Sequence, residues 1–144
     1  MESNSKQGVQ QLKIYQLAHE LGVKVHAMSL NLPKFELLEE GSQIRRSSKS
    51  VSANIVEGFA LRKYKNEFLR YLYRSFASSK ETVEHIHYLY ETQSLTDKAI
   101  FNELQSGYEE LNKMLFTFMN SVSQFHRTST SVKKAHGEDT RSLS

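Results

Sequence analysis

The residues able to do covalent or metal chemistry in this chain are few, and their spacing is poor for it. There is no cysteine, which excludes thiolate nucleophiles, disulfides and cysteine-based zinc sites. A helical protein can still hold a di-metal centre, but that needs inward-facing glutamates and Glu-x-x-His pairs on two helices. One such pair occurs, Glu84-x-x-His87, and a second is missing. Position 87 also stands about 100° around a helix from the apolar seam of its own segment. His19 and His26 are too far apart along one helix to ligate jointly. Ser47, Ser48, Ser50 and Ser52 lie in a helical pattern, without the strained turn or nearby base that activates a hydroxyl. No glycine-rich phosphate loop is present. The sequence therefore predicts no catalytic, metal-binding or cofactor-binding residues, and no enzyme.

Binding chemistry is better represented. Arg45, Lys49, Arg62, Lys63, Lys65, Arg70 and Arg74 form a basic cluster, with Tyr64, Tyr71 and Tyr73 interleaved. Cations beside aromatic rings suit phosphate contact and base stacking, which makes RNA or DNA a candidate partner. The same pattern also suits a solvated basic surface with its tyrosines packed in the fold. Residues 45–80 hold nine Lys/Arg against two Asp/Glu, a balance of +7, and residues 81–125 hold two against seven, a balance of −5. Such a split can create a phosphate-attracting surface, or the two halves can neutralise each other across helix or subunit contacts.

A second polar set has helical spacing. Gln43, Arg46, Ser50, Asn54 and Glu57 fall on one face of the stretch 43–62, beside an apolar face of Ile44, Val51 and Ile55. The expectation is that Gln43, Arg46, Asn54 and Glu57 lock neighbouring helices. Arg46, which shares this row with Asn54 and Glu57, would pair with a glutamate of its own or another helix, such as Glu81 or Glu84. Such pairs fix register more than they add stability. Gly58 would let the chain turn or a neighbour approach closely.

The elements positioning these residues follow from periodicity. One proline and six glycines in 144 residues favour long helices over many turns. Ile14, Ala18, Leu21, Val25, Met28 and Leu32 form the seam of a first helix that Pro33 ends. Gly22 weakens it by roughly 1 kcal/mol relative to alanine. Residues 33–42 form a connector with one turn at 35–39, and Ser42 is the expected N-cap of a second helix reaching Phe59 or Ala60. A third helix spans 65–92 on Phe68, Leu72, Phe76, Ser79, Val83, Ile86 and Tyr90. Ser94 or Thr96 caps a fourth, with Asp97 against its dipole. Ile100, Leu104, Leu111, Leu115, Phe118 and Val122 form its seam, interrupted at Gly107–Tyr108. Phe101, Phe116 and Met119 add apolar surface that hints at self-association.

The fold class is thus all-α: an antiparallel up-and-down four-helix bundle over 12–125, with a flexible N-terminus at 1–11 and a disordered tail at 126–144. Hydrophobic residues at 38% and charged residues at 24% suit one globular domain. With no signal peptide and no span of the roughly 20 apolar residues a bilayer requires, the expected location is cytoplasmic and off the membrane.

Pro33, Glu36, Q-I-R-R-x-x-x-S-V-x-A-N-I-x-E-G at 43–58, Arg62, E-F-x-R-Y-L at 67–72, Ser78, Ser79 and Glu81 together resemble the bacterial four-helix-bundle family of 23S rRNA intervening-sequence proteins. The resemblance covers about residues 12–122. It implies an up-and-down bundle, a homopentameric ring and no established enzymatic activity. A relative, the accessory protein of diversity-generating retroelements, implies a reverse transcriptase and nucleic acid as further possible partners. Leu61, Tyr64 and Ser78 depart from residues usual in the family, which bears on the 60–65 turn. The segment after 125 is outside the family pattern.

Overall fold

The computed structural model describes residues 8–137, with side chains through Phe125. Four long helices follow the apolar seams: α1 (Lys13–Ser29), α3 (Glu40–Ala60), α4 (Lys65–Glu91) and α5 (Lys98–Gly137), with a short α2 (Lys34–Leu37) between the first two. Consecutive long helices run up and down. α1 packs on α3, α3 on α4, α4 on α5, and α5 closes back on α1. This is the antiparallel bundle that short connections and 3/4 periodicity demand.

The helix ends carry local chemistry that the sequence only partly showed. α1 stops at Ser29, before Pro33, and the chain turns through Asn31 N–H to Met28 O and Leu32 N–H to Ser29 O. Ser42 does not cap α3, because that helix already begins at Glu40. The Glu36 carboxylate instead accepts the free Glu40 N–H at 3.4 Å. Asp97 is itself the cap of α5, accepting Ala99 and Ile100 N–H at 3.0 and 3.2 Å.

Ordered structure begins earlier than expected, because Val9–Gln11 form a 3-10 turn and Val9 packs against the core. α5 runs as a helix beyond position 125 to Gly137. The expected flexibility of 1–7 and disorder of 138–144 lie outside the described residues.

The core is built from the predicted seam of α1 with Ile44, Val51 and Ile55 of α3, Phe68, Leu72, Ile86 and Leu89 of α4, and Leu104, Leu111 and Leu115 of α5. Three expectations need correction. Tyr108 does not interrupt the α5 seam; it is fully buried within it. The buried row runs 104, 108, 111, 115, 119 because a straight helix drifts from a strict heptad, so Met119 is buried while Phe118 and Val122 sit at the core's edge. On α4, Ser75 and Thr82 are fully buried, and Phe76, Val83 and Tyr90 are only partly so.

Candidate functional site

At the α3–α4 contact it is hydroxyls, and not the longer polar side chains expected to lock the helices, that bridge the two elements. Ser75 Oγ donates to Val51 O at 2.8 Å. The Thr82 and Ser47 hydroxyls meet at 2.8 Å, and each also has a carbonyl acceptor on its own helix, Ser78 O at 2.8 Å and Ile44 O at 3.4 Å. Ser50 and Ser78 hydroxyls meet at 2.9 Å. Small side chains let the helices approach until hydroxyls can bridge them, and each buried oxygen so paired avoids a desolvation cost of about 1–3 kcal/mol. Gly58 belongs to the same contact: a Cβ there would lie 3.0 Å from Tyr71 Cβ and 3.4 Å from Phe68 O. Its role is close approach.

The proposed locking row is otherwise placed. Gln43, Arg46 and Glu57 are solvent-exposed, and among the described residues their side chains make no hydrogen bond or ion pair. Arg46 is therefore paired with neither Glu57, Glu81 nor Glu84 within the chain. Asn54 Nδ2 turns onto its own helix, donating to Ser50 O at 2.9 Å and Ser50 Oγ at 3.0 Å.

The locking arginine is the preceding residue. Arg45 donates to Ser29 Oγ and to Leu37 O, both at 2.8 Å, tying the end of α1 and the α2 corner to α3. This takes Arg45 out of the basic cluster. The remaining cations lie towards the outside. Lys49, Arg62, Lys63, Arg70 and Arg74 are exposed and Lys65 is half-buried.

Aromatic rings hold several of these cations. Arg62 lies 4.0 Å over Phe59, Lys63 is 5.9 Å from Tyr64, and Arg70 and Arg74 flank Tyr71 at 5.7 and 5.2 Å. Arg70 also pairs with Glu67 at 2.7 Å, which holds its guanidinium above the usual range. Tyr64 and Tyr73 are each 57% exposed. The α3–α4 turn places Arg62, Lys63 and Lys65 at one end of the bundle. A groove at the α1–α5 edge adds Lys13 and Lys113 beside Leu12, Met114 and Phe118, and Phe118 meets Phe68 edge-on at 5.9 Å.

The opposite end is acidic and tightly tied. His85 Nδ1 lies 2.6 Å from Glu40 Oε1, and its Nε2 lies 3.3 Å from Glu81 Oε2. Glu36, only 8% exposed, accepts the Ser94 hydroxyl at 2.6 Å. His87, of the single Glu-x-x-His pair, packs edge-on against Phe101 at 5.6 Å. The Glu81–His85 pair has helical i,i+4 spacing, but the links of His85 to Glu40 and of Glu36 to Ser94 span 45 and 58 residues and could not be read from spacing. Among the described residues, no group of three or more His, Asp or Glu is assembled to hold a metal ion. No helix there is long and apolar enough to cross a membrane.

None of the curated proteins matches the chain by sequence. The crystal structure of a protein with unknown function from the S23 ribosomal protein family of Bacteroides thetaiotaomicron VPI-5482 superposes with a TM-score of 0.64. It is 22% identical and covers 74% of this chain and 95% of its own, a likeness that shows the fold. The description "23S rRNA-intervening sequence protein" matches residues 10–117. With the bundle, its serine-bridged α3–α4 contact and three quarters of its length accounted for, the chain belongs to the 23S rRNA-intervening sequence protein family.

Proposed function

We propose that this protein is a non-enzymatic interaction module that associates with itself, as a homopentameric ring of bundles. The observation that carries the reading is the apolar surface left uncovered on one chain: Leu38 is 84% exposed, Phe35 70%, Val23 58%, Phe116 57% and Leu30 56%. Contiguous exposed apolar side chains mark association sites, and of these Val23 and Leu30 line one groove while Phe35 and Leu38 share one turn. The exposed, unpaired Gln43, Arg46 and Glu57 supply polar groups that a neighbouring subunit can meet. The ring itself is what the family resemblance implies. Chromatography with light scattering tests it: the expected mass is five times the 16.6 kDa chain, and a monomer at micromolar concentration would overturn it.

A second reading is a nucleic-acid-binding accessory factor. It is favoured by the exposure of Lys49, Arg62, Lys63, Arg70 and Arg74 together with the exposed side chains of Tyr64 and Tyr73. In this reading the ring presents several basic ends to one phosphate backbone. A partner protein such as a reverse transcriptase would add to these contacts. A gel-shift series over salt separates this reading from the scaffold alone.

A further inference from the structure

We infer that the groove between α1 and α3 seats the α2 corner of a second copy of this chain, an inference that rests on the self-association proposed above. The groove encloses about 480 Å³ and is apolar along Gly22, Val23, Ala27 and Leu30, with His26 and Lys49 at its rim. Val23 and Leu30 are more than half exposed there, at 58% and 56%. The α2 corner is the matching projection. Phe35 and Leu38 stand three residues apart, one helical turn, and are 70% and 84% exposed. Two large side chains on a short projecting turn are the shape that a narrow apolar groove accepts.

Charge selects the occupant. Of the carboxylates at the α2 corner, Glu36 is taken by Ser94 and Glu40 by His85. Glu39, beside Leu38, is exposed and unpaired among the described residues. Lys49 at the groove's rim is likewise exposed and unpaired among them. Seating the Phe35–Leu38 ridge of one copy in the groove of the next covers both apolar surfaces and offers Glu39 to Lys49. Ridge and groove are different patches of one chain, so the contact is head-to-tail. A contact of that kind repeats, and closes into a ring where the rotation allows. The corner is rigid enough to dock, because Arg45 holds Leu37 O and Ser29 Oγ from below.

The test uses the full chain and two exposed substitutions, Leu38→Glu on the ridge and Val23→Glu in the groove. Circular dichroism should show both variants folded, since neither side chain is in the core. Light scattering should show each with a dissociation constant raised about thirtyfold or more, the loss of one buried apolar side chain. An equimolar mixture of the two should recover a two-chain species, because one intact ridge and one intact groove remain. In the charge swap, Glu39→Lys and Lys49→Glu should each weaken assembly and the pair together restore it. Assembly of wild-type mass by both glutamate variants would overturn this contact while leaving the ring standing. A monomeric wild type would overturn the ring and the contact with it.

Discussion

Tyr108 is the residue at which composition and structure part most sharply. Its ring is fully buried in the α5 seam, and among the described residues its hydroxyl has no hydrogen-bond partner. Burying an unpaired hydroxyl costs about 1–3 kcal/mol, so the ring's apolar contacts must outweigh that cost. Tyr108→Phe keeps the ring and removes the orphan oxygen. The expected outcome is a gain of about 1 kcal/mol, seen as a rise in Tm of about 3 °C. Burial also pushes the phenol's pKa up. The unfolded chain then ionises first, near pH 10. This contribution is intact below that pH and is lost as pH rises above it, by up to about 1.4 kcal/mol per pH unit. Tyr108→Phe should flatten the alkaline decline in urea-unfolding stability. A decline identical to wild type would show that the ring reaches solvent. Sequence alone could not place this residue, because a tyrosine after a glycine reads equally well as a break or as a seam position.

At the scale of elements, the helices were legible and the faces they turn inward were less so. The α1 seam holds from Ile14 to Leu32, because apolar letters spaced by three and four leave one solution. Arg45 and Arg46 show the limit. Adjacent helical residues point about 100° apart, and which one meets α1 and α2 depends on how α3 is rotated in the bundle. Rotation is a tertiary property, and a polar row cannot report it. The serines were legible as small packing residues, but their pairing with Ser75, Ser78 and Thr82 was not, for the same reason.

Glycines test the packing directly. A Cβ on Gly41 would lie 2.7 Å from Glu36 O, a backbone atom that cannot swing aside, whereas one on Gly22 meets nothing nearer than Ser48 O at 3.7 Å. Gly41→Ala should therefore lose about 2 kcal/mol by forcing the α2 corner off α3. Gly22→Ala should gain up to about 1 kcal/mol from helix propensity. Denaturant midpoints with unchanged slope would measure both. A neutral Gly41→Ala would mean that the α2–α3 corner is loose, and the rigidity argued for it would fall.

For the whole molecule, antiparallel packing turns part of the charge pattern into a difference between the two ends of the bundle. Antiparallel packing gathers Arg62, Lys63 and Lys65 at the α3–α4 turn, with Lys13 and Lys113 on the α1–α5 edge nearby. It sends Glu39, Glu84, Glu91 and Asp97 towards the other end. Among the described residues no ion pair joins the basic segment 45–80 to the acidic segment 81–125, so the cations of the basic end act at short range, within the roughly 8 Å Debye length of physiological salt. If that end grips a nucleic-acid strand, each phosphate neutralised adds about 0.7 to the slope of log affinity against log salt for single strands. Replacing Arg62, Lys63 and Lys65 together with alanine should lower that slope by about 2. Arg45→Ala should leave the slope unchanged while lowering stability, because its guanidinium is engaged inside the fold. A wild-type protein that binds no strand even at low salt would remove the nucleic-acid reading. The difference between the two ends would then act only between bundles, where a basic end opposite an acidic end favours one orientation of neighbours over the reverse.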